Sequence, residues 1–360
     1  FTDCSNTFLV SSLDLYQQSN HSTSEDNCSN ITNDLREWAI SHNVCHNTLK
    51  ELLKILKPVM PNLPQDSRTF LRTPRQTLLK CVNPGKYYHF GLGEGVKWLL
   101  EMSLPPPSVQ TIEICVNIDG LPLSKSSNSQ LYPILISLFP QNNSISMIGI
   151  YHGNEKPKDS NLFLKDFVDE AIMMVNHGFE FKGKRYYFNI KAFICDAPAK
   201  SFIKCTKGHT GYYSCSKCCQ RGLFDNNKLC FPDIIFVKRT DEDFISQKQE
   251  EHHINTSILT TIPNVGLISC FPLDYMHLIC LGVVKKLLLL WCNGKPPNKL
   301  SFGQISELSN SLILQSRNIT RDFCRKPRSI LEVKRWKATE FRQLLLYSGP
   351  VVLKNILPQN

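Results

Sequence analysis

Two apolar runs of this chain each end on an aspartate, and that repetition restricts the folds open to it more than any other feature. In Ile112-Glu-Ile-Cys-Val-Asn-Ile-Asp119-Gly-Leu-Pro, β-branched residues occupy positions 112, 114, 116 and 118 before Gly120 and Pro122 interrupt the run. This alternation predicts a strand that delivers a carboxylate at its edge. Tyr186-Tyr-Phe-Asn-Ile-Lys-Ala-Phe-Ile-Cys-Asp196-Ala-Pro repeats the arrangement, again stopping at an acid followed by Pro198. Two such carboxylates can share divalent cations.

Between the aspartates lie apolar runs from Leu131 to Phe139 and from Ile145 to Tyr151, then a helical pattern from Asn161 to Val175. The order is strand, strand, strand, helix, strand. Short links favour an antiparallel meander for the first three strands, and the helix is a crossover that returns the fourth parallel to the first. That order matches a ribonuclease H-like core, an α/β (α+β) fold with a mixed sheet. The first and fourth strands are neighbours there, so Asp119 and Asp196 are expected together although 77 positions separate them.

A chain of 360 residues with 42% hydrophobic and 20% charged content is large enough for two or three domains and too apolar to be mostly disordered. No run reaches the ~20 apolar residues of a membrane span. The longest, around Leu278 to Trp291, is interrupted by Lys285 and Lys286, so no transmembrane helix and no membrane partner are expected. The fifteen cysteines are odd in number and dispersed, and many lie in apolar runs, which predicts reduced intracellular thiols rather than a disulfide scaffold. The net charge of +10 is uneven: residues 321–342 hold eight Arg or Lys against three Asp or Glu. Such a cluster suits a polyanion, because phosphates bound to it release their counterions.

Residues 1–33 are rich in Ser, Asn and Thr and read as a disordered lead-in. Residues 34–104 form an N-terminal helical region, with helices around 34–40 and 47–57, the second stopped by Pro58. The pair is read as a helical hairpin or a helix-turn-helix. Residues 58–80 carry four prolines and several cations and are expected to be an irregular basic linker. A strand around 86–91 and a helix around 96–102 follow, and Pro105-Pro-Pro marks the boundary of the core, whose first part spans 105–200.

Residues 201–320 read as a cysteine- and histidine-containing insertion. Cys215-Ser-Lys-Cys218 places two thiols one turn apart, the reach of a tetrahedral Zn²⁺, with His277, His209 or the His252–His253 pair available to complete it.

Several segments in this order carry a family resemblance: Asp119-Gly-Leu-Pro-Leu-Ser-Lys-Ser-Ser, Tyr151-His-Gly-Asn-Glu-Lys-Pro-Lys-Asp, Cys195-Asp-Ala-Pro-Ala-Lys-Ser, Gly208-His-Thr-Gly-Tyr-Tyr-Ser-Cys-Ser-Lys-Cys, Pro272-Leu-Asp-Tyr-Met-His and Trp336-Lys-Ala-Thr-Glu-Phe-Arg. Over roughly 110–360 the chain resembles CACTA (En/Spm)-type DNA transposases and the transposase domain-containing proteins of animal genomes. The resemblance implies a nuclear enzyme of the DDE class with a zinc-binding insertion, acting on transposon ends and target DNA and assembling as an oligomer on DNA. Two Mg²⁺ (or Mn²⁺) ions would be held by Asp119, Asp196 and a third acid from a late helix in the final segment, 321–360. Glu340 fits that role, with Asp274 as competitor. Asp119 would bridge the ions, and Arg321, Arg325, Lys326, Arg328, Lys334, Arg335 and Lys337 would neutralise DNA phosphates. The alternatives are a domesticated, catalytically inactive DNA- or chromatin-binding protein and a nuclease acting on RNA.

Overall fold

The computed structural model describes residues 24–73, 77–103, 110–140, 144–225, 228–354 and 356–357, with side chains from 31 onward. The chain divides into two units at Leu78. In the first, helices α1 (Ser24–Ser41), α2 (His46–Leu56) and α3 (Ser67–Phe70) enclose Ala39, Leu49, Leu53, Leu63 and Phe70. Helix α1 begins ten residues before the point where order was expected; residues 1–23 lie outside the described residues. The stretch read as an irregular linker is partly built in, since Asp66 caps α3 and Leu63 and Phe70 are buried. Pro74 and the Pro105-Pro-Pro boundary lie outside the described residues.

The second unit is mixed α/β. Its main sheet contains β1 (Lys80–Val82), β2 (Gly85–His89), β3 (Thr111–Ile118), β4 (Leu121–Pro122), β5 (Gln130–Phe139), β6 (Ser146–Gly153), β7 (Phe179–Phe181) and β8 (Lys184–Phe193). Strand order is β1-β2-β6-β5-β3-β8-β7, with β4 pairing β5. Strands β3, β5 and β6 form the antiparallel meander read from the sequence, and β8 lies parallel to β3. The hairpin β1–β2 extends the sheet beyond β6, so residues assigned by sequence to the N-terminal region belong to this unit.

Alternation along β3 is complete: Ile112, Ile114, Val116 and Ile118 are buried and the intervening residues are not. Helices α4 (Leu92–Met102) and α5 (Ser160–His177) supply Val96, Leu99, Phe163, Phe167 and Val168 to the same core. Each such side chain contributes roughly 1.5–3 kcal/mol on burial. Asp159 starts α5 by accepting from Asn161 and Leu162 N–H, and Gly178 ends it at φ +75°, where a side chain would be strained. This crossover fixes the direction of β8 and brings its C-terminal end beside that of β3.

A separate apolar cluster unites Cys280, Val284, Leu288, Leu308, Leu312, Ile330, Trp336 and Phe341. Its backbone is a continuous 19-residue helix, Tyr275–Asn293, wound as a π-helix over Tyr275–Val284. Lys285 and Lys286 do not interrupt it, contrary to expectation, and by length and composition alone this helix is long and apolar enough to cross a membrane. Every cysteine whose side chain is described is a free thiol.

Candidate functional site

The parallel ladder between β3 and β8 continues past its last paired residues. Ile194 N–H donates to Val116 O (2.7 Å) and Asn117 Nδ2 donates to Ile194 O (2.6 Å), so the chains leave the sheet side by side. Asp119 and Asp196 follow immediately on these two exits. Gly120 N–H donates to Asp119 Oδ1 (2.7 Å), and Ala199 N–H donates to Asp196 Oδ1 (2.7 Å), which makes Asp196 the N-cap of α6 (Ala197–Ile203). Each carboxylate is thereby oriented by backbone through one oxygen, Oδ1. A Cβ at position 120 would sit 2.8 Å from the Tyr132 ring, which is why the residue after Asp119 has none.

Asp274 completes the cluster. It caps the Tyr275–Asn293 helix by accepting from Met276 N–H (2.8 Å), and its Oδ2 is bonded to His277 Nδ1. Burial pushes the Asp119 carboxyl up; Gly120 N–H opposes, the negative charges of Asp196 and Asp274 push the same way as burial, and His277 pulls back. The Tyr132 phenol is likewise raised by burial, then by Asp119 and Asp196. Three carboxylates, one imidazole and one phenol thus act on each other electrostatically. The gathering is looser than a coordination sphere: among the described residues no three His, Cys, Asp or Glu side chains are grouped so as to hold a metal ion. In chemistry the donor set, carboxylate oxygens, still fits a hard divalent cation.

Glu340 is held by other partners. It is 3% exposed, and its carboxylate accepts from Arg328 Nε (2.6 Å), Arg328 NH2 (3.0 Å) and Lys337 N–H (2.7 Å). Arg328 also reaches Glu332 and Arg335 O. Both residues expected at the catalytic or DNA-binding surface are therefore engaged with each other as the clasp that starts the helix Ala338–Gln343. Arg328→Met should leave this carboxylate buried without its cation and destabilise the chain by roughly 2–3 kcal/mol, less than a fully buried pair because Arg328 is half-buried. Urea unfolding measures it, and a loss near zero would mean that Glu340 is not held as described. Arg321, Arg325, Lys326, Lys334, Arg335 and Lys337 remain exposed.

Between residues 201 and 320, Cys215 and Cys218 Sγ lie 3.2 Å apart, both within reach of a single ion. His277 does not join them in a three-ligand group, and its Nδ1 is taken by Asp274. Of the other candidate histidines, His209 is exposed, and His252 and His253 have buried Nε2 atoms without a hydrogen-bond partner. The charge of Arg239 acts on both of these rings, and the same guanidinium is influenced by Cys215 and Cys218.

The same 201–320 segment holds a feature the sequence reading missed. Lys204 is 1% exposed, its Nζ has no hydrogen-bond partner, and it sits 4.7 Å from the centre of the Phe244 ring and 5.3 Å from that of Phe271. Burial, then the charges of Lys200, Lys217 and Arg239, hold its pKa down to about 7, with Asp241 opposing. Only the spacing Lys200-x₃-Lys204 on one helix hinted at it, and lysines at that spacing ordinarily face water. No protein-family model and no curated protein matches this chain.

Proposed function

We propose that the chain is the catalytic region of a DDE-type DNA transposase with a ribonuclease H-like core, cleaving and joining DNA strands with divalent metal. The observation that carries this reading is the placement of Asp119 and Asp196 at adjacent ends of parallel strands, with the charge of Asp274 reaching Asp119. Asp274 is the third acid of the proposal, since the Glu340 carboxylate is committed to Arg328 and Lys337.

Bound Mg²⁺ or Mn²⁺ would supply Lewis-acid activation and neutralise charge on a phosphodiester. The residues of the chain do the rest. Asp119, Asp196 and Asp274 would hold the cation, and backbone caps keep them from turning away. Asp274 fixes the imidazole of His277 through Nδ1, so Nε2 is the nitrogen able to exchange a proton at the reacting oxygen. The six exposed cations between Arg321 and Lys337 would neutralise phosphates and set register without reading bases.

The deciding experiment is a strand-cleavage and joining assay on duplexes carrying candidate terminal repeats, with Mg²⁺ or Mn²⁺. Nicked and joined products are the expected result. A protein that binds DNA but yields neither product favours a non-catalytic, transposase-derived DNA-binding protein, a reading supported by the loose gathering of the acids. Nuclear localisation goes with either reading.

Zinc in the insertion is part of the same proposal. Cys215→Ser/Cys218→Ser protein is expected to lose about one equivalent of Zn²⁺ by metal analysis and to melt lower, because a structural zinc contributes folding energy directly. Unchanged zinc content and melting temperature would remove the metal from these thiols.

A further inference from the structure

We propose that the exposed apolar run Ile234–Val237, in the insertion, is a wedge that enters a base step of duplex DNA; the proposal rests on the DNA reading above. Ile234 and Ile235 are 92% and 94% exposed, Phe236 is 46% and Val237 72%. Single exposed apolar side chains are ordinary on a protein surface, but four in succession mark a surface with an occupant.

The run is held from its base. Cys219 N–H donates to Val237 O (2.9 Å) and Arg239 N–H donates to Lys217 O (3.0 Å), with Cys218 and Lys238 paired between them. Arg239 is buried, donating through Nε to Cys215 O (3.0 Å) and through NH1 to Gln249 Oε1 (3.0 Å). The apolar run therefore adjoins an anchored two-chain stem.

Charge decides which occupant fits. Residues 201–240 carry seven Lys or Arg against two Asp, so this stretch supplies +5 of the chain's +10. Lys207, Arg221, Lys228 and Lys238 are exposed, and Arg221 lies over the Tyr212 ring at 5.7 Å. An apolar run bordered by Lys238, in a stretch of net charge +5, matches a duplex opened at one step, where side chains such as Ile and Phe replace lost stacking while cations meet phosphates. A protein partner with an apolar groove would use the run but leave the cations without anions.

The test uses the whole chain and duplexes containing 2-aminopurine at successive positions, read by fluorescence, together with a titration of affinity against salt. Wild type should raise fluorescence on binding. Ile234→Ser/Ile235→Ser should abolish that rise and weaken affinity by about tenfold with an unchanged salt slope, whereas Arg221→Gln/Lys238→Gln should flatten the slope by roughly two units. All substituted side chains are exposed, and melting temperatures within a few degrees of wild type verify the fold. Wild type that binds DNA without unstacking it, or an Ile variant that unstacks like wild type, overturns the wedge and leaves the DNA reading standing. Absence of any duplex binding overturns the DNA reading itself. If the Ile variant instead converts a dimer to a monomer in sedimentation while DNA binding is unaffected, the run is a contact between copies and the proposal is wrong.

Discussion

Asp119→Asn, Asp196→Asn and Asp274→Asn proteins are each expected to lose metal-dependent strand cleavage by at least about 10³-fold, the size seen when a member of a cooperating catalytic set is removed, while remaining folded. The two halves of that expectation come from one cause. Burial and the charges of Asp196 and Asp274 raise the Asp119 pKa above its unfolded value, so the ionised form that would bind metal is disfavoured by the fold. The sign follows: a carboxyl with a raised folded pKa stabilises the chain below its unfolded pKa, and that contribution is lost as pH rises through the folded value. At neutral pH the cost is fully present. Asp119→Asn should therefore melt at or above the wild-type temperature in metal-free buffer, and DNA binding should hold or tighten because a negative charge has been removed. Glu340→Gln is the control, since it should lower stability through the Arg328 clasp and alter cleavage only in proportion to the folded fraction. Full cleavage by Asp274→Asn together with none by folded Glu340→Gln would return the third position to Glu340.

Lys204→Met is expected to stabilise the protein at pH 7 by up to about 4 kcal/mol, on 1.36 kcal/mol for each unit between an ordinary lysine and one held near 7. The ammonium has aromatic faces but no hydrogen-bond acceptor, and its neighbours Lys200, Lys217 and Arg239 are cations. A thioether of similar length would occupy the slot between Phe244 and Phe271 without desolvating a charge. Because the folded pKa is depressed, the unfolded chain binds more protons between about pH 7 and the ordinary lysine range, so wild-type stability should climb through that window. Urea unfolding at pH 7 and 9 should give a gain of about 2 kcal/mol for wild type that is absent from Lys204→Met. Equal pH dependence of the two proteins would show that the ammonium finds a partner in solution.

The sequence disclosed what local pattern controls. Alternation at 112–118 foretold the buried face of β3, and the helical stretch after Asn161 foretold the crossover that sets β8 parallel to it. Asp119 and Asp196 were legible for the same reason, since a strand end is a local event. What depends on distant partners was hidden. Nothing around Glu340 announces that Arg328, twelve positions earlier, folds back on it, and a basic cluster looks the same whether its members face water or a buried carboxylate. His277 was one of several histidines available to complete a zinc site, and its Nδ1 is bonded to Asp274 three residues earlier. The long helix was underrated because two lysines were counted as a break, although lysine is a good helix former and snorkels readily.

That same helix ties chemistry to architecture. Asp274 is its N-cap, and from Cys280 onward the helix is seated in the apolar C-terminal cluster through Cys280, Val284 and Leu288. The carboxylate at the tip of this helix is therefore positioned by the apolar seat along the rest of it. Any event that re-seats Leu288 or Phe341 would tilt the acid relative to Asp119, whose own position is fixed by the sheet, and so loosen or tighten the cluster without touching it.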